Sequence, residues 1–280
     1  MAAAREGYDP RVALEFFKAA GKPEKVPEGT QIFAEKERAS RLLRKPSKMY
    51  LLLTGEVALR AGRRTIGSVK AGEVFGELAA IADAPRSATA VAKTACRLIA
   101  LDAKQLEAAL RKKPAFALML MSVMIRRLRE TIAQLPPGEL SPARAQKESA
   151  AFDPKHLAEL LRGFSDDPPV YYDREKPILQ AGQAGLRMYV VTEGRVAVKL
   201  GERVVERLGP GGVFGEAALV DQSVRLADVI AETDCALLPV SRTAFLALVK
   251  MSPGFAESML GSLAQRLRFL ASKFNPTGTS

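Results

Sequence analysis

The segment Leu51–Leu78, LLLTGEVALRAGRRTIGSVKAGEVFGEL, strings short apolar and β-branched runs between Gly55, Gly62, Gly67 and Gly72. Strands this short, separated by glycine turns, predict an antiparallel barrel or jelly roll rather than a parallel sheet with intervening helices. Downstream of Asp102 the apolar period lengthens to that of a helix. Leu106, Leu110, Phe116, Leu120, Met124, Leu128, Ile132 and Leu135 trace helical faces on either side of Pro114. A β-sandwich followed by a long helix is the expected unit.

That unit occurs twice. MYLLLTGEVAL from Met49 aligns with MYVVTEGRVAV from Met188, an offset of 139 positions. The same offset pairs Phe75-Gly76-Glu77 with Phe214-Gly215-Glu216, Arg86 with Arg225, Cys96 with Cys235, and Arg127-Leu128 with Arg266-Leu267. Upstream the offset drifts: YDPRVALEFF from Tyr8 resembles FDPKHLAELL from Phe152, and the first copy carries a charged insertion, AEKERASRLLRKPSK, before Met49. Pro136 to Ser149, PPGELSPARAQKES, has linker composition. The predicted fold is mainly β with helices, two tandem jelly-roll β-barrels each flanked by helices. The expected boundaries are an N-terminal helical segment 1–26, a first domain 27–135, linker and helix 136–165, a second domain 166–274 and a tail 275–280.

Composition removes several function classes. No apolar run approaches the ~18 residues of a membrane span, and the N-terminus lacks a signal-peptide pattern, so a cytoplasmic location is expected. Two cysteines and one histidine fall short of a disulfide scaffold or a four-ligand zinc site. His156 lies in an amphipathic stretch, DPKHLAELL, where it reads as a helix surface residue. Cys96 and Cys235 sit at matching places in apolar stretches and read as core residues. The net charge of +11 favours an anionic partner without choosing among nucleic acid, acidic protein and a phosphorylated small molecule.

GEVFGELAAIADAPRSATA (Gly72–Ala90) and GGVFGEAALVDQSVRLADV (Gly211–Val229) narrow that choice. In each, a Gly-Glu pair enters a short helical turn and an arginine follows nine positions after the glutamate. Free N–H groups at the turn suit phosphate, and Gly76 permits close backbone approach. Arg86 brings a forked cation. Glu77, an acceptor that repels phosphate, suits a sugar hydroxyl. A phosphorylated ribose satisfies all of these, whereas the competing reading is a Glu–Arg salt bridge bracing the barrel rim.

FGELAAIADAPRSATA, with the flanking YLLLTGEVAL and CRLIALD, resembles the phosphate-binding cassette and neighbouring strands of the cyclic nucleotide-binding domain family. That family includes the bacterial catabolite activators and the regulatory subunits of cyclic AMP-dependent protein kinase. The resemblance covers about 27–135 and 166–274. It implies that Glu77 accepts the ribose 2′-hydroxyl and that Arg86 pairs with the cyclic phosphate. Gly76, Leu78, Ala79 and Ser87 complete the first cradle, and Gly215, Glu216, Ala217, Ala218, Arg225 and Leu226 form the second. Thr131 falls where the activators contact the adenine amino group; Leu270 takes that place in the second copy.

The second copy departs from the pattern. Leu226 lacks the donor that Ser87 offers, Asp228 stands where Thr89 does, and Val224 replaces Pro85. The first copy is therefore the expected binder, with cyclic AMP favoured over cyclic GMP because Ser87 and Leu226 replace the threonine usual in cyclic GMP sites. A dimeric cyclic nucleotide is a further ligand to consider. No cofactor, metal or catalytic residue is expected.

Only Asn275–Ser280 follow the last helix, so no sequence-specific DNA reading is expected. The output is then an unidentified effector protein, with the 116–135 helix serving either a homodimer or the two-repeat interface. Rival readings are a ligand-free tandem-barrel scaffold and a non-specific nucleic-acid binder using Arg-Arg at 63–64 and 126–127.

Overall fold

The computed structural model describes residues 9–38, 46–62, 64–134, 149–163 and 168–273. Residues 39–45 of the charged insertion, most of the linker, Leu135 and the tail lie outside them. The described residues form two compact units. The first comprises those up to Thr131 together with those from Leu263 onward, and the second runs from Ile132 to Ser262.

The first unit opens with α1 (Pro10–Ala20), capped by the Asp9 side chain, which accepts from the Arg11 N–H. Then come β1 (Lys22–Val26), β2 (Gln31–Phe33), β3 (Lys48–Thr54), β4 (Glu56–Ala61), β5 (Arg64–Lys70) and β6 (Val74–Phe75). Short α2 (Glu77–Ala82), β7 (Thr89–Ala92) and β8 (Cys96–Asp102) precede α3 (Ala103–Lys112) and α4 (Ala115–Ala133). α3 starts in a capping box between Asp102 and Gln105.

Two four-stranded antiparallel sheets result, β1-β8-β3-β6 and β2-β7-β4-β5. Their facing sides meet in a core of Phe33, Tyr50, Leu52, Val57, Phe75, Ala90, Leu98 and Ala100. The far side of β3 and β8 is buried as well, at Met49, Leu51, Ile99 and Leu101. Burial on both faces explains why YLLL reads as a continuous apolar run instead of an alternating one.

The second unit repeats the plan. α5 (Pro154–Gly163), β9 (Val170–Tyr172), β10 (Pro177–Leu179), β11 (Arg187–Glu193), β12 (Val196–Leu200) and β13 (Arg203–Leu208) lead to β14 (Val213–Phe214). α6 (Ala217–Asp221), β15 (Asp228–Ala231), β16 (Cys235–Ser241), α7 (Arg242–Met251) and α8 (Pro253–Lys273) follow, α8 belonging to this unit only as far as Ser262. Its sheets run β9-β16-β11-β14 and β10-β15-β12-β13, the strand order of the first unit. The tandem jelly-roll architecture is as expected.

Two local expectations need correction. β1 pairs along its whole length with β8, so the first barrel begins upstream of residue 27. Gly67 is no turn: it lies inside β5, opposite Leu59, where the β4–β5 register shifts. Both cysteines are buried and free. His156 stands near the start of α5 with Nδ1 2.8 Å from Asp153 Oδ2, on the surface. No helix among the described residues is long and apolar enough to cross a membrane.

Candidate functional site: the cassette between β6 and β7

β6 is tied to β3 through Tyr50–Phe75 and Leu51–Val74, which fixes where the chain leaves the barrel. At Gly76 the backbone turns left-handed, with φ 72°. A Cβ there would stand 2.9 Å from Arg86 Nη1, so glycine is required both by the turn and by the close approach. α2 then begins at Glu77, only 1% exposed, and ends at Asp83, whose N–H bonds the Ala79 carbonyl.

The loop that follows carries Arg86, itself 7% exposed. Its backbone is clamped to the β2–β3 loop: Arg86 N donates to Glu37 O at 2.8 Å, and Lys36 N donates to Arg86 O at 2.9 Å. Its Nη1 donates to Gly76 O at 2.8 Å, and the guanidinium lies over the Phe33 ring, 4.1 Å from the centroid. Burial pulls the arginine below its ordinary pKa, against the favourable charges of Tyr50, Glu37 and Glu77. Burial likewise pushes the Tyr50 hydroxyl up to about 12, although Arg86 opposes it.

Glu77 and Arg86 do not pair, so the rim salt bridge considered from the sequence is absent. The partner of Glu77 is Arg127 of α4, whose Nη1 donates to Glu77 Oε1 and whose Nη2 donates to Val74 O at 2.5 Å. Burial works against the Arg127 charge, but Glu77 outweighs it and raises the arginine's pKa, with help from Glu73 and Glu130. The second carboxylate oxygen, Glu77 Oε2, is buried without a hydrogen-bond partner. A buried acceptor left open is costly unless something donates to it. Of the other expected site residues, Ala79 is buried, Leu78 and Thr131 are half-buried, and Ser87 is exposed. Thr131 lies one helical turn beyond Arg127 on the same side of α4.

Arg127 was missed in the sequence because fifty positions separate it from Glu77. The signal was there: Arg-Leu recurs at 127–128 and 266–267 in the repeat.

The second cassette is built alike up to its arginine. Gly215 is left-handed at φ 83°, Glu216 is 4% exposed, and Ala217 and Ala218 are buried at the start of α6. Arg225 N donates to Gln183 O at 2.8 Å, and Gly182 N donates to Arg225 O at 3.0 Å. Its side chain differs from that of Arg86. Nη1 donates to Gly215 O and Nη2 to Arg187 O, both at 2.6 Å. A Cβ on Gly185 would come within 2.1 Å of the guanidinium, so that loop lies directly against it. Arg225 thus commits two donors to backbone where Arg86 commits one. Burial lowers its pKa while Tyr189 and Glu216 support its charge.

Asp228 is turned to the Ala181 N–H at 2.8 Å, the task Thr89 Oγ1 performs for Glu35 N at 2.9 Å. Its charge serves the loop. Leu226 is half-buried and Leu270 buried. Among the described residues no group of three or more His, Cys, Asp or Glu side chains could hold a metal ion.

The family model described as "Cyclic nucleotide-binding domain" matches residues 23–113 and 169–252. The chain is similar to a cyclic AMP receptor protein of Thermus thermophilus, 39% identical over 102 residues, covering 35% of this chain and 47% of that one. It is also similar to a cAMP-dependent protein kinase regulatory subunit of Hypocrea atroviridis, 30% identical over 213 residues, covering 74% and 39%. Among solved structures, the cAMP-bound regulatory domain of Toxoplasma gondii PKA aligns at 21% identity over 85% of each chain, with a TM-score of 0.32. The chain spans less than half the length of these two curated relatives. With both cassettes inside the matched segments, the chain belongs to the cyclic nucleotide-binding domain family.

Proposed function

We propose that the protein is a cyclic-nucleotide sensor, with no catalysis of its own, that takes cyclic AMP in its first domain and signals occupancy to a partner protein. The observation that carries this is the open acceptor Glu77 Oε2, buried in the same cassette as an arginine with donors to spare. A ribose hydroxyl supplies the missing donor and a cyclic phosphate the missing anion. Gly76, Leu78, Ala79 and Ser87 line the cradle, and Thr131 faces the base.

Arg127 supplies the link to the output. It joins α4 to Glu77, so a ligand hydroxyl arriving at that carboxylate changes what holds the helix. Two helix arrangements with unequal affinity for ligand would then be populated differently with and without it. The partner is an unidentified effector protein, and the regulatory subunits of a protein kinase among the relatives make a protein kinase one candidate. The domains are taken as 27–135 and 166–274, with β1 added to the first. The second site, Gly215, Glu216, Ala217, Ala218, Arg225 and Leu226, binds more weakly, because Arg225 must give up a backbone bond to meet a phosphate.

Calorimetric titration with cyclic AMP tests the assignment. Arg86→Ala should weaken the tighter site by about tenfold or more, since a charge-assisted hydrogen bond is worth roughly 1.5–3 kcal/mol. Arg225→Ala should leave that site intact. Equal binding by the wild type and both variants would end the assignment.

A further inference from the structure

The loop carrying Arg86 has little support of its own. α2 stops at Asp83 in a left-handed conformation, and Ala84 N reaches back to Ala79 O at 3.4 Å. Pro85 then offers no N–H, so its carbonyl is its one polar backbone group. That carbonyl accepts from Nη1 of Arg268, a residue in the stretch of α8 that belongs to the first unit.

The Pro85 carbonyl and the Arg86 N–H belong to one planar peptide group and, the bond being trans, point in opposite directions. Glu37 O holds the N–H at 2.8 Å and Arg268 holds the carbonyl. The peptide is thereby pinned from two sides, and the Cα from which the Arg86 guanidinium departs is one of its corners. Arg268 is half-buried, and both burial and the charge of Arg38 depress its pKa. A cation held beside another cation is out of place there unless the carbonyl contact repays it.

We propose that Arg268 is a positioning residue for the phosphate site of the first domain. By pinning the Pro85–Arg86 peptide from the side opposite Glu37, it sets the aim of Arg86 and couples ligand at that site to the last turns of α8. This rests on the cyclic-nucleotide reading above. Coupling of this kind is reciprocal: if α8 steadies the cassette for ligand, ligand steadies α8.

The test uses the full chain with cyclic AMP, by calorimetry and by hydrogen exchange with and without ligand. Arg268→Ala should weaken the Arg86-dependent site by about tenfold, within the usual range for such couplings. Arg268→Lys, which keeps a donor, should recover part of the loss. In the wild type, ligand should slow amide exchange across residues 263–273, and in Arg268→Ala at saturating ligand that protection should disappear. A purely structural arginine would lower stability without removing the ligand-dependent protection.

Wild-type affinity in Arg268→Ala, with that protection intact, overturns the proposal. Should the alanine variant fail to fold, unchanged exchange across 263–273 in the liganded wild type overturns it equally. A wild-type chain that binds no cyclic AMP overturns the sensor reading and this inference together, and needs no variant to be recognised.

Discussion

Gly76 combines a left-handed φ of 72° with a neighbour, Arg86 Nη1, that a methyl group would touch at 2.9 Å. Gly76→Ala should cost about 1–2 kcal/mol of stability from the backbone alone, and it should push the guanidinium off its carbonyl. The expected outcome is a lower melting temperature together with weaker cyclic AMP binding, measured on one preparation. Arg127→Ala should cost about 2–3 kcal/mol, somewhat under the usual figure for a broken buried pair because a quarter of the arginine is exposed. Denaturant unfolding checks it, and a variant as stable as wild type would contradict the pairing. At this scale the sequence singled out Gly76, Glu77 and Arg86, which the structure gathers in one cassette. It was silent on the partner of Glu77, because a side chain on a helix fifty positions away reveals its target only once the helix is placed.

At the scale of elements, the sheet β10-β15-β12-β13 is laced by Glu232, just beyond β15. It accepts from Arg195 Nε and Arg207 Nε, each at 2.7 Å. Burial disfavours its charge, yet the hydrogen bonds from Arg207 and Arg195 prevail and hold its pKa below the ordinary 4.5. A depressed carboxyl stabilises the fold above its unfolded pKa, and the benefit fades as pH falls through the folded value. Glu232→Gln should therefore cost about 1 kcal/mol at neutral pH, after discounting for partial exposure, and should match wild type in acid below both values. Melting curves taken from neutral pH down to strongly acidic buffer decide this. A constant gap would assign the loss to packing. β1 was not legible, since Lys22-Pro23-Glu24-Lys25-Val26 has the charge and proline of an edge strand and no alternation. β3 was, because burial on both faces makes its apolar run unbroken.

For the molecule as a whole, the 139-residue repeat carried most of the architecture, since two copies of one sequence pattern give two copies of one strand order. Composition could not reveal that the stretch from Leu263 onward belongs with the first unit, because that grouping depends on where helices end in space. Saturating cyclic AMP should stabilise the chain by about 2.7 kcal/mol at a hundredfold excess over the dissociation constant, and so raise its melting temperature. The shift should shrink by about half or more in Arg86→Ala and persist in Arg225→Ala, as read by scanning fluorimetry. The pairing of β1 with β8 has a practical corollary for anyone excising the first barrel. A fragment cut at residue 27 bares the hydrogen-bonding flank of β8 and invites other chains to zip onto it, so it should clump where one cut ahead of α1 stays dispersed.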